Sequence, residues 1–108
     1  MNNLKNTTEL VKIILDQDER ARNSDSYLYM KVLRIMAERK GMDISNVSIY
    51  KFLLMMDVWQ FPPFESVRRS RQKVQATFPE LAATNKTRKN RKKNEAVYHN
   101  YAKEIMKI

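Results

Sequence analysis

Apolar residues along this chain recur at helical spacing rather than in strand-like alternation. Leu10, Val11, Ile14 and Leu15 line one face of a helix, and Asn6 with Glu9 three residues on forms the pattern of a capping box at its start. The polar stretch 16–25 holds the end of that helix and a connection. A second helix is predicted over 25–40, capped by Ser24 or Asp25, with Leu28, Val32, Ile35 and Met36 on its inner face. Arg39 and Lys40 complement its C-terminus, and Gly41 suits a left-handed residue just past the end.

A third helix is expected over 45–57, with Ile49, Phe52, Leu53 and Met56 on one side. Leu54 and Met55 widen that surface, so this helix is expected to be the most buried one. Residues 58–61 read as strand or loop, with Trp59 and Phe61 as lids over the core. Pro62 and Pro63 close the stretch, and Pro63 can occupy the first turn of the next helix. A fourth helix is predicted over 64–77, stopping before Pro79, with a narrow apolar stripe of Val67, Val74 and Phe78 continued by Leu81. A fifth is predicted over 86–107, where Val97, Tyr101, Ile105 and Ile108 follow a basic run.

These elements predict an all-α fold, a compact bundle of about five helices with a helix-turn-helix-like core and a basic C-terminal helix. The 108 residues suit one domain. One glycine and three prolines leave little for tight β-turns. The N-terminal residues lack the apolar stretch of a signal peptide, and the longest apolar run, 52–56, is far short of a membrane span. The cytoplasm, without membrane association, is the expected compartment.

Charge divides the chain in two. Residues 1–60 hold nine Lys and Arg against eight Asp and Glu, whereas 61–108 hold twelve against four, so nearly all of the net +9 lies in the second half. The first half is therefore read as a mainly hydrophobic helical platform and the second as a basic half facing an anionic partner.

Enzymatic chemistry has little to work with. The sequence has one histidine, His99, no cysteine and no glycine-rich phosphate loop. Asp16, Asp18 and Glu19 alternate around a helix and read as a solvated acidic patch. No catalytic residue, metal site or cofactor is expected.

Two constellations point instead to nucleic acid. On the fourth helix, Arg68, Arg69, Arg71, Gln72 and Lys73 surround the apolar stripe, with Glu65 the only acid nearby in sequence. Guanidinium forks and amides grip phosphates and read purine edges. On the fifth, Lys86, Arg88, Lys89, Arg91, Lys92 and Lys93 place six positive charges in eight residues. Like charges four apart weaken an isolated helix, and meeting phosphate relieves that repulsion. Double-stranded DNA is favoured over RNA, because a rigid basic helix suits a major groove. A homodimer would fit a palindromic site.

The segment 61–75, Phe-Pro-Pro-Phe-Glu-Ser-Val-Arg-Arg-Ser-Arg-Gln-Lys-Val-Gln, followed by Phe78-Pro79-Glu80-Leu81, resembles small proteins encoded by phages and prophages of Gram-positive bacteria. In these a Glu-Ser-Val-Arg-Arg-x-Arg-Gln-Lys helix follows a proline in a helix-turn-helix-like or winged-helix-like setting. The resemblance covers mainly residues 60–102. It implies a mobile-element DNA-binding protein in a bacterial host, acting as a transcriptional or replication accessory regulator, and carries over no catalytic residue. The alternative is a phage-encoded inhibitor that docks on a host nucleic-acid enzyme or ribonucleoprotein, as anti-CRISPR proteins do.

Overall fold

The computed structural model describes the backbone of residues 3–106 and the side chains of residues 6–96. The fold is all-α, and the described residues form six helices and two 3-10 turns: α1 (Asn3–Gln17), α2 (Glu19–Asn23), α3 (Asp25–Arg39), a 3-10 turn (Ile44–Asn46), α4 (Ile49–Met55), α5 (Phe64–Thr77), a second 3-10 turn (Pro79–Leu81) and α6 (Asn85–Met106).

Local chemistry sets most of the boundaries. Asp18 caps α2 by accepting from the Arg20 amide, and Ser24 caps α3 by accepting from the Tyr27 amide. Gly41 takes φ +70 after α3, which lets the Met42 amide reach back to the Ala37 carbonyl at 2.9 Å. Phe78 breaks from helical geometry ahead of Pro79, ending α5. The Thr84 hydroxyl accepts from the Thr87 amide and opens α6.

Two boundaries differ from the sequence expectation. Asn6 is not a cap: α1 begins at Asn3 and includes it. Pro63 stands at the N-cap of α5, in extended geometry, and its carbonyl receives the Ser66 amide, so the proline precedes the first turn instead of occupying it. The expected connection over 16–25 also contains a helix of its own, α2, which puts Ala21 into the core.

The core is built from Leu10, Val11, Ile14 and Leu15 of α1, Leu28 and Val32 of α3, and Val67 and Val74 of α5, closed by Ala21 and Leu81. Each large apolar side chain buried here contributes roughly 1.5–3 kcal/mol. The platform is therefore α1, α3 and α5, with α1 and α5 the most extensive pair. Between those two helices the Thr8 and Ser70 hydroxyls meet at 3.1 Å, which satisfies the buried Ser70.

The expectation for the third predicted helix is overturned. It forms as α4, shorter than predicted, and buries no residue: Ile49, Tyr50, Leu53 and Leu54 all face outward. Its inner side, half-buried Phe52, Met55 and Met56, rests near Phe61, and the Phe52 and Phe61 rings lie 5.7 Å apart. With apolar residues on nearly every side, α4 can turn only one of them toward a two-turn contact. Phe61 is buried and Trp59 half-buried, edge-on to each other, so both cover the core as expected. They do so from a turn: Gln60 adopts φ +62 and the Phe61 amide returns to the Met56 carbonyl.

Residues 56–63 separate α4 from α5, eight residues where a helix-turn-helix has three or four. The described residues contain no strand that could serve as a wing. No described helix is long and apolar enough to cross a membrane. The apolar positions expected late in the last helix, Val97, Tyr101, Ile105 and Ile108, lie outside the described side chains, as does His99.

Candidate nucleic-acid interface

α5 and α6 face each other across an open groove of about 1360 Å³. Six cations line it, Arg68 and Arg71 from α5 and Arg88, Lys89, Arg91 and Lys92 from α6, against Asp25, Glu65 and Glu95. Gln72, Gln75 and Asn85 add amides to the same walls. The two basic constellations of the sequence thus converge on one concave surface.

The floor is a partly buried charge cluster. Asp25, at the first turn of α3, accepts from Arg71 Nε at 2.8 Å and Nη2 at 3.1 Å, a bidentate pair across 46 residues. Arg91 of α6 reaches the same carboxylate through Nη2 at 3.4 Å and the Arg22 carbonyl through Nη1 at 3.3 Å. Burial lowers the Arg91 pKa, neighbouring Arg71 pushes the same way, and Asp25 opposes both. Gln75 completes the floor. Its carbonyl accepts from Arg71 and its amide donates to the carbonyls of Arg22 and Leu81.

This floor attaches α6. The Thr84 amide donates to Asn23 Oδ1, and Arg91 bonds Arg22 and Asp25, so the described start of α6 is held largely by polar contacts, with Ala83 buried just before it. Polar attachment explains how a helix with so little apolar surface at its start stays beside α5.

Arg71 is where the structure departs most from the expected division of labour. Its side chain is only 8% exposed and its guanidinium is consumed by Asp25 and Gln75. It builds the groove from beneath instead of projecting from it. Arg91 is similar, half-buried and turned inward. Arg88, Lys89 and Lys92 are exposed along the α6 wall, and Gln72 along the α5 wall.

Glu65 moderates the α5 wall. Arg68 holds it bidentately, Nε to Oε2 at 3.0 Å and Nη2 to Oε1 at 2.7 Å, and Arg69 approaches Oε1 at 3.3 Å. The Arg68 hydrogen bond is the main reason the Glu65 carboxyl lies below its ordinary pKa, and the same bond raises that of Arg68. Arg69, Lys73, Lys86 and Lys93 are exposed but do not line the groove. They extend its positive surroundings.

Sequence reasoning found the groove cations because they cluster in charge-dense runs. It missed the residues that hold them: Asp25 looked like a helix cap, Gln75 read as part of the polar surface of the fourth helix, and Asn23 and Arg22 carried no signal. Their partners lie 46 to 69 residues away, or reach them through backbone carbonyls. Comparison with known protein families, curated proteins and solved structures gives no match for this chain.

Proposed function

We propose that the chain binds nucleic acid, preferring duplex DNA, along the α5–α6 groove. The observation that carries this reading is the convergence of Arg68 of α5 with Arg88, Lys89 and Lys92 of α6 on one open concave surface, above a floor that holds Arg71 and Arg91. Arg88, Lys89 and Lys92 form a row for the phosphodiester backbone, and Arg68 and Gln72 supply donors from the opposite wall. Phosphate contacts position such a protein and give affinity; Gln72, exposed on the groove wall, is the α5 group suited to base edges, and Arg69 and Lys73 outside the groove add to its positive surroundings. In this reading Arg71 and Arg91 are positioning residues, which act through Asp25 to fix the α6 row relative to α5. The finer role follows the resemblance noted in the sequence: a regulatory DNA-binding protein of a phage or other mobile element, working in the cytoplasm of a bacterial host and without catalytic activity or cofactor.

Fluorescence anisotropy of labelled duplex DNA, single-stranded DNA and RNA across a salt series tests the reading. Duplex binding that weakens steeply as salt rises is the expected result. Absence of duplex binding at low salt would remove it. A host protein retained after nuclease treatment, without duplex binding, would transfer the basic face to the inhibitor reading.

A further inference from the structure

α4 is a surface helix with almost no polar residue. Of its seven residues only Lys51 is polar, and Ile49, Tyr50, Leu53 and Leu54 are 70, 81, 61 and 80% exposed. Val58, in the turn that follows, is 69% exposed. Together these five side chains leave on the order of 600 Å² of apolar surface uncovered, the upper end of what a monomer's largest patch ordinarily reaches.

We propose that this face is the contact of a symmetric homodimer, α4 against α4 of a second copy. Area is the first argument. A twofold contact sets the same patch on both partners, so two such faces can bury at most about 1,200 Å², the lower end of what specific stable interfaces bury. Charge is the second. A protein of net +9 repels its own copies, and association is least opposed where the excess is absent. Residues 41–60 carry Lys51 against Asp43 and Asp57, so this stretch is slightly acidic while the remainder holds all the positive excess.

Placement is the third argument. α3 starts at Asp25 in the groove floor and ends near Lys40, whose ammonium sits 5.8 Å from the Phe61 ring centre, beside the α4 turn. Its 15 residues span about 22 Å at the rise of an α-helix. Pairing through α4 therefore leaves both grooves open, a helix length from the contact. The association stands independently of what the grooves hold; its consequence, two grooves on one duplex, rests on the reading above.

Sedimentation equilibrium of the full chain over a concentration and salt series is the test, with Leu54→Glu and Leu53→Glu as variants. The expected result is a species of twice the chain mass, with a dissociation constant raised roughly tenfold or more by either variant. Because both positions are exposed within one copy, circular dichroism of the variants is expected to match the parent. Added salt screens the repulsion between copies and tightens the dimer, whereas it weakens duplex binding. The two ideas therefore fail separately. The sequence has no cysteine, so Leu53→Cys or Leu54→Cys gives a clean crosslink: oxidation is expected to yield a covalent dimer, and Asn90→Cys is not. A chain that stays monomeric throughout, or a dimer unmoved by both glutamates, would overturn the proposal.

Discussion

Arg71 and Asp25 meet through two parallel hydrogen bonds, 2.8 and 3.1 Å, although 46 residues separate them. This pair joins the second turn of α5 to the first turn of α3, and Arg91 adds α6 to the same carboxylate. An acid at the start of α3 also complements the helix dipole there. The groove between α5 and α6 is thus anchored on one carboxylate shared by two guanidinium groups.

Removing Asp25 leaves two guanidinium groups without their carboxylate, and removing Arg71 leaves Asp25 only the longer Arg91 contact, in a partly water-excluded place. Arg71→Ala is expected to lower the unfolding free energy by about 2–3 kcal/mol, somewhat less than for a fully buried pair because Asp25 keeps some solvent. Asp25→Ala strands two arginines and is expected to cost at least as much. Urea denaturation measures both; losses below about 0.5 kcal/mol, the size of an ordinary surface substitution, would show that the cluster does not hold the fold.

The groove cations are expected to act on binding and hardly on stability. Lys89→Ala and Lys92→Ala each remove an exposed charge and should lower the slope of log affinity against log salt by about 0.9. Lys86→Ala and Lys93→Ala, which lie on α6 outside the groove, should change that slope by less. Equal effects at all four positions would mean diffuse attraction by the basic half and no defined track.

Stability should respond to pH at both extremes through α3. The Asp18 carboxyl is held below its ordinary pKa first by the Tyr27 hydroxyl, and then by the Arg20 amide and Lys31. A carboxylate with a depressed folded pKa stabilises the protein above its unfolded pKa, near 3.8, and loses that contribution as pH falls through the lower folded value. Asp18→Asn should therefore flatten the acid limb of melting temperature against pH. Burial raises the Tyr29 pKa above 10.0, and its hydroxyl donates to the Pro62 carbonyl. That contribution is whole below the ordinary tyrosine pKa and fades as pH rises through the higher folded one. Tyr29→Phe should cost about 1 kcal/mol at neutral pH and soften the alkaline limb. Unchanged limbs in either variant would remove these groups from the pH response.

Two residues with positive φ should respond in opposite directions. Gly41 sits at φ +70 with nothing within 4 Å of an added Cβ, so Gly41→Ala is expected to cost about 1–2 kcal/mol from backbone conformation alone. Gln60 holds φ +62 with a side chain in place, so Gln60→Gly relieves that strain and should be neutral or slightly stabilising. Thermal melts of the two variants decide it, and a destabilising Gln60→Gly would mean that the glutamine side chain contributes more than its backbone strain costs.

The all-α class, the course of α3 and α5, the left-handed role of Gly41 and the concentration of charge in the second half are all legible along the chain. All of these are local: a serine or threonine oxygen reaches an amide three residues on, apolar residues repeat within one helix, and cations cluster in short runs. Which apolar faces are covered, and which arginines turn inward, depends on how the helices pack. Leu53 and Leu15 look alike in the chain, yet Leu15 belongs to the core that α1, α3 and α5 share and is fully buried, while Leu53 is 61% exposed. Arg71 and Arg69 stand two positions apart on one helix, about 200° around its axis. That rotation points Arg71 at Asp25 and leaves Arg69 in solvent. Burial and ion pairing depend on what packs opposite, and across tens of residues that is set by how the helices assemble.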